Sequence, residues 1–543
     1  MRKVQKGIPM DPAPVADDKL TANLSSLMHN RYFLLALIFT VVSIVYWTLY
    51  AVNAYNHFIY ASDFGYYLYN MYYDIHYPNI MGGLQLLVFG QHIAPDQLAV
   101  LLIYSIFQSP LTLPIVQLIA LSLTGLLVFW VTKDLLKNDK LALILCTAYL
   151  LNPGMHGALI FDYHAEFLII PFFIATFYFY MKASFRYFFV SLLLLLGTIE
   201  SSYAVAFALG LGLLLYEMMH NIDAHSKQTR IKFAYMIIIG SIGALLFYNT
   251  IYFALPTEQV SVSHGILPIF AVSTYPLVPI VGGTASPGNE GLILSRGGVS
   301  LSTIPYVIYA LIVVFFGFGI ALFFDPISAI IFSVPWLVVL FVFKNIGFAL
   351  VSQQYFTFVV AGAFAATILG FKLYENNSSP LTKYIPALKT MVQRQDFGNI
   401  LAYSTLGLAV IIYLLSFLFL NLPNVQTQIL FSVNSTQSND YAQLNSIISK
   451  IPSSGNLSVE PVIMPHVANR PYMEQLEDFY FLPDFIVVDL NDNITSPYIT
   501  NKMEGYAGKL LTITQYDLVA RNGTAFLIER NYSAPVRLPG GVS

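Results

Sequence analysis

Charge and cysteine are what this chain has least of. Of its 543 residues, 26 are basic and 29 acidic, so one residue in ten is charged, against roughly a quarter in soluble domains. That excludes a soluble enzyme, and 57% hydrophobic content excludes a disordered chain. A net charge of -3 leaves no basic face to neutralise nucleic-acid phosphates. The one cysteine, Cys146, lies in an apolar run, so an internal disulfide, a cysteine metal site and a dithiol pair are all excluded. A mean hydropathy of +0.66 fits what remains, a multi-pass membrane protein.

Apolar runs long enough to span occur at 32–54, 112–132, 141–158, 166–182, 233–255, 304–323, 327–343, 353–371 and 398–420. The stretch 187–218 is too long for one crossing, and Glu200-Ser-Ser202 divides it into two short ones. The count is then about eleven spans. Some 30 largely polar residues precede the first run, and no small-residue cleavage site follows it, so that run reads as a start-anchor helix rather than a secretory signal. Three regions follow: a cytoplasmic segment 1–31, a transmembrane region 32–420 with long outer loops at 55–111 and 256–303, and an outer soluble domain 421–543.

Sorting the bases by side sets the orientation. Seventeen fall in the segments assigned to the cytoplasm, two (Arg296 and Lys344) in the outer loops, and seven in the tail. Positive residues stay inside, so the N-terminus is expected in the cytoplasm and the tail outside the plasma membrane. The tail carries 18 of the 55 charges and five N-x-S/T sequons, at Asn434, Asn456, Asn493, Asn522 and Asn531. Phe485–Asp489 and Thr524–Glu529 read as strands of a small α/β domain.

The outer loops hold eight acids against those two bases, among them Asp63, Asp162, Glu166 and Glu200. A carboxylate at an apolar boundary is costly unless it is partnered or used. Asp63 follows the first span; it could cap the next helix, or serve there as general base or metal ligand. Residues 97–108 form an apolar helix too short to span, expected to lie in the interface. In Asp162-Tyr-His-Ala-Glu166, three potential ligands fall within five residues; helix capping is the plainer reading of each alone. Glu200 lies between two apolar runs, and a turn acid facing water is its plainer reading.

The series Ser62-Asp-Phe-Gly65, His92-x-x-Pro95, Asp162-x-His164 with Glu166, Glu200, and Gln353-Gln-Tyr355 resembles an uncharacterised membrane family, domain of unknown function 2079. The tail resembles it too, in Ile451–Val459, Pro465-His466 with Asn469-Arg470-Pro471, and Asp484–Asp489. That family in turn looks like the GT-C superfamily of polytopic glycosyltransferases. The resemblance implies a GT-C-like helical membrane protein with an extracytoplasmic domain. It would transfer a sugar from a polyprenyl-phosphate donor, among membrane lipids, to an acceptor outside.

On that resemblance Asp63 matches the first-loop acid and Asp162, with His164 or Glu166, the second-loop pair. His164 in place of a second carboxylate weakens the case for Mg or Mn, although Asp63, Asp162, His164 and Glu166 are the candidate ligands. Asp63, Asp162 and Glu200 are the candidate catalytic acids. His92, Arg296 and Lys344 (with His164) are the outer cations available to a leaving phosphate, and Tyr66 is a candidate to stack on a sugar. Two alternatives stay open. A lipid or solute transporter or flippase would need polar or charged residues at the midplane, and a catalytically silent scaffold would bind a partner through its outer domain.

Overall fold

The computed structural model describes residues 30–60, 62–77, 92–220, 224–254, 304–342, 354–376, 396–419, 435–476, 483–489 and 516–531. The loop 256–303 with Arg296, and Lys344, lie outside the described residues, as do both expected ends of the tail, 421 and 543, and the segment 1–29.

In chain order the helices are α1 (Arg31–Asn56), α2 (Ser62–His76), α3 (Gln97–Ile106), α4 (Thr112–Leu136), α5 (Asp139–Leu150), α6 (Pro153–Ile160), α7 (Ile169–Met181), α8 (Phe185–Gly197), α9 (Ser202–Met219), α10 (Ala224–Ala254), α11 (Ile304–Phe316), α12 (Pro326–Leu337), α13 (Thr357–Glu375), α14 (Phe397–Phe419) and α15 (Ser435–Ile448). Six of them, α1, α4, α9, α10, α13 and α14, are long and apolar enough to cross a membrane. The pair α5 and α6 makes a seventh, and α7, α8, α11 and α12 are shorter apolar helices. Every apolar run read from the sequence is therefore helical over most of its described residues.

Two details of the reading are decided locally. The run 187–218 is divided, with α8 ending at Gly197 and α9 starting at Ser202. The run 141–158 is not one rod: it bends by 41° between α5 and α6. Asn152-Pro153 causes the bend, because proline cannot continue the helix from α5, and the Asn152 side chain accepts the Gly154 N–H at 2.9 Å to start α6.

α13 is the central helix, with 83% of its apolar window buried, whereas α1 has 17% and faces outward with Ile38, Val41, Val42, Val45 and Leu49 exposed. Small residues let α13 approach its neighbours closely. A Cβ on Gly370 would overlap the Ala321 carbonyl oxygen. α3 is only ten residues long and exposes Leu98, Leu102, Ile103 and Ile106, as an interfacial helix does.

The tail forms a five-stranded sheet in the order β2-β1-β3-β5-β4, from β1 (Leu457–Val459), β2 (Met473–Gln475), β3 (Phe485–Asp489), β4 (Tyr516–Asn522) and β5 (Ala525–Arg530). β1 runs parallel to β2 and β3, while β5 is antiparallel to β3 and β4. The crossover from β1 to β2 contains a short helix, α16 (Met464–Val467). This α/β domain packs on α2 at one end of the bundle. A Cβ on Gly65 would overlap Met464 Cβ. His466 stacks on Tyr55 and Phe58, with ring centroids at 4.2 and 4.0 Å. Tyr69 Oη donates to the Pro471 carbonyl at 2.9 Å.

Candidate functional site

The acids flagged in the sequence gather at the end of the bundle that carries the tail. The segment between α6 and α7 presents Asp162, Tyr163 and His164, and a polar residue from inside a span holds it. Gln117 of α4 donates from Nε2 to the carbonyls of Ala158 (2.6 Å) and Asp162 (3.0 Å), and its Oε1 accepts the His164 N–H (3.0 Å). An apolar residue there would leave these backbone groups unsatisfied.

So held, His164 stands between two carboxylates. Its Nδ1 is 2.6 Å from Asp162 Oδ1, close but outside hydrogen-bond alignment, and its Nε2 is 3.2 Å from Asp63 Oδ2. The side chains of His164 and Asp162 are enclosed, whereas that of Asp63 is 49% exposed. Asp63 lies in the first turn of α2, where the helix dipole favours an anion.

Burial opposes the charge on His164, but the two carboxylates overcome it and raise its pKa well above that of a free imidazole. Burial and the charge of Asp63 push Asp162 up against the pull of His164. Packing works to raise Asp63, and His164 with His92 reverses it, leaving its pKa lowered. With half its side chain open, the imidazolium contacts decide its state. Asp63 is thus an ionised carboxylate facing outward, backed by an imidazolium.

A second ion pair adjoins the first. His92 Nδ1 is 2.6 Å from Glu200 Oε1, and Glu200 Oε2 accepts the Ile93 N–H at 2.8 Å. Burial would lower the His92 pKa, but Glu200 raises it to about 9, and His92 in turn keeps Glu200 below the usual range against its burial. The turn at Thr198–Ser201 thereby fixes the loop before α3, helped by the Asp96 N–H, which donates to the Gly197 carbonyl at 3.1 Å.

Between these pairs Glu166 is buried, with Oε2 lacking a partner. Tyr66 is half-buried and packs on the core. The tyrosine whose titration senses Glu166, Asp63 and Glu200 is Tyr67, whose buried Oη is unpartnered. Sequence reasoning passed over Gln117, and it weighed Tyr67 only among the aromatics that could stack on a sugar or belong to the interfacial belt. A glutamine in an otherwise apolar run was the available signal for Gln117.

As arranged, the four candidate metal ligands do not converge. Both His164 nitrogens already face carboxylates, and among the described residues no three His, Cys, Asp or Glu side chains are grouped to hold a metal ion. The donor set therefore does not fit Mg or Mn in this geometry.

A family profile described as "Predicted membrane protein (DUF2079)" matches residues 30–500. No curated protein matches the chain. Among matching solved structures is ArnT from Cupriavidus metallidurans in the apo state, at 11% identity and a TM-score of 0.45, covering 91% of this chain and 97% of that one. So loose a likeness transfers no residue and no role.

Proposed function

Since the chain belongs to the DUF2079 family of predicted membrane proteins, we propose that it is a GT-C-type glycosyltransferase, moving a sugar from a polyprenyl-phosphate donor to an acceptor hydroxyl at the outer face of the membrane. The observation that carries this reading is the contrast between Asp63, half open and ionised, and Asp162, His164, Glu166 and Glu200, which are closed in behind it. One reactive carboxylate held by enclosed partners is the layout of a general base with its positioning residues. The distribution of basic residues supports placing this end outside.

In the proposed step the acceptor oxygen forms a bond to the sugar's anomeric carbon. The bond from that carbon to the phosphate oxygen breaks, and the phosphate leaves with the electron pair. The hydroxyl proton passes to Asp63. The low pKa of Asp63 keeps it ionised, and the hydroxyl becomes acidic enough to give up its proton as the new bond forms. His164 holds Asp63 in place, and His92, kept protonated by Glu200, supplies positive charge toward the leaving phosphate. No metal enters this scheme.

Asp63→Asn keeps the shape of the side chain and removes its basicity. Loss of a general base lowers transfer by about 10²–10⁴-fold. The readout is mass spectrometry of surface glycans and lipid-linked sugars in a strain lacking the gene, complemented with wild type or with the variant at equal membrane levels. Glycans restored equally by both would sink the assignment. So would transport or lipid scrambling by the wild type in proteoliposomes that contain no sugar acceptor. Loss of transfer in EDTA would restore the metal that this donor geometry does not fit.

A further inference from the structure

Arg470 is a buried cation that the proposed reaction does not use. It is 6% exposed, its Nε donates to the Val467 carbonyl at 3.0 Å, and its Nη1 is sealed from water without a partner. Among the described residues no carboxylate pairs with it, and burial alone lowers its pKa to about 10. A guanidinium in this position is costly to leave unpaired. Its planar fork of N–H groups matches phosphate oxygens better than any other side chain does.

The backbone on either side of Arg470 is pinned. Asn469 Oδ1 accepts the Tyr104 hydroxyl of α3 at 3.3 Å, and the Pro471 carbonyl accepts the Tyr69 hydroxyl of α2. Tyr104 is on the buried face of α3, whose other residues Leu98, Leu102 and Ile106 are exposed, so the loop bearing Arg470 is tied to the inner side of a helix that has the character of an interfacial one. Tyr69 lies six residues beyond Asp63 on the same helix, about 9 Å along its axis at 1.5 Å per residue. The loop bearing Arg470 and the carboxylate of Asp63 are thus tied to the same helix, less than two turns apart.

We propose that Arg470 binds the phosphate group of a lipid-linked ligand whose sugar end reaches Asp63. The link to Asp63 rests on the transferase reading, whereas the phosphate site itself does not.

The test uses the full-length protein in nanodiscs, with three probes: a short-chain polyprenyl phosphate, inorganic phosphate and phosphatidylglycerol. Binding is read by native mass spectrometry for wild type, Arg470→Gln, Asp63→Asn and Arg521→Gln, the last an exposed arginine of the same domain. The expected result is a tenfold or greater loss of polyprenyl-phosphate affinity in Arg470→Gln, with Arg521→Gln unchanged. Unchanged binding by a folded Arg470→Gln, judged by its proteolytic pattern, overturns the proposal. Equal affinity for inorganic phosphate upholds the phosphate site and makes the free ion its ligand. Equal affinity for phosphatidylglycerol upholds the site but refutes its link to transfer. If Arg470→Gln unfolds, the Nε–H resonance of Arg470 in the wild type decides: a shift on adding polyprenyl phosphate supports the proposal, and none refutes it. Intact phosphate binding by an Asp63→Asn protein that also retains full glycan transfer would sink the transferase reading alone.

Discussion

Replacing Glu200 by Gln should reverse the pH dependence that His92 contributes to stability. The amide oxygen of Gln can still accept the Ile93 N–H, so the loop keeps its tie and only the charge is lost. His92 has a pKa of about 9 in the folded protein, against 6.5 for the free side chain, and its side chain is 27% exposed. At about 1.4 kcal/mol per unit, a shift of roughly 2.5 units corresponds to about 3 kcal/mol. A raised folded pKa means that this stabilisation is complete below pH 6.5 and is lost as pH climbs through 9. In Glu200→Gln burial and the charge of His164 are left to lower the His92 pKa against the weaker pull of Glu166, so its contribution should fall on acidification instead. Thermal melts of both proteins in one detergent, from pH 6 to 9.5, give the comparison. The gap between wild type and variant should be widest at pH 6 and should close by pH 9.5. A gap that stays constant across the range would refute the reasoning. So would a wild-type His92 resonance that titrates near 6.5.

Gln117→Leu should destabilise the protein by about 1–3 kcal/mol, since it strips two carbonyls and one N–H of their partner in a buried segment; denaturant melts measure the loss, and glycan transfer should fall with it. His466 is pushed down to about 4 by burial between Tyr55 and Phe58. A lowered folded pKa makes its contribution complete above pH 6.5 and lost as pH falls through 4, so limited proteolysis should release the tail faster over that interval. His466→Phe should abolish this acid sensitivity.

Much of the fold could be read ahead of the structure because a membrane span is a composition as much as a pattern. The runs of α1, α4, α9 and α13 carry their assignment in 18 or more largely apolar residues, and Glu200 marked the division of α8 from α9. The bend at Asn152 was visible as Asn-Pro, but the apolar count across 141–158 outweighed it. The site was legible in part. Asp63, Asp162, His164 and Glu200 stood out as acids or imidazoles in apolar surroundings, yet their pairing depended on contacts over a hundred residues apart. That His164 stands between two acids, and Glu200 against His92, follows from how α2, α4 and the α8–α9 turn pack. Local sequence does not encode that packing. Gln117 is an ordinary residue until the fold encloses it, and that Tyr67 Oη and Arg470 Nη1 are buried without a partner is visible only in the folded chain.

The docking of the tail on α2 also sets a schedule. Tyr69 meets Pro471 across 402 residues of chain, and Gly65 leaves room for Met464. A ribosome delivering the chain from its N-terminus inserts the helix bearing Asp63 first and the residues that cover it almost last. Through most of synthesis, the carboxylate end of the bundle therefore stands uncovered. The enclosure is completed only when the final domain arrives, so a chain cut short within the tail would leave a bundle with its acids in place and no wall beside them.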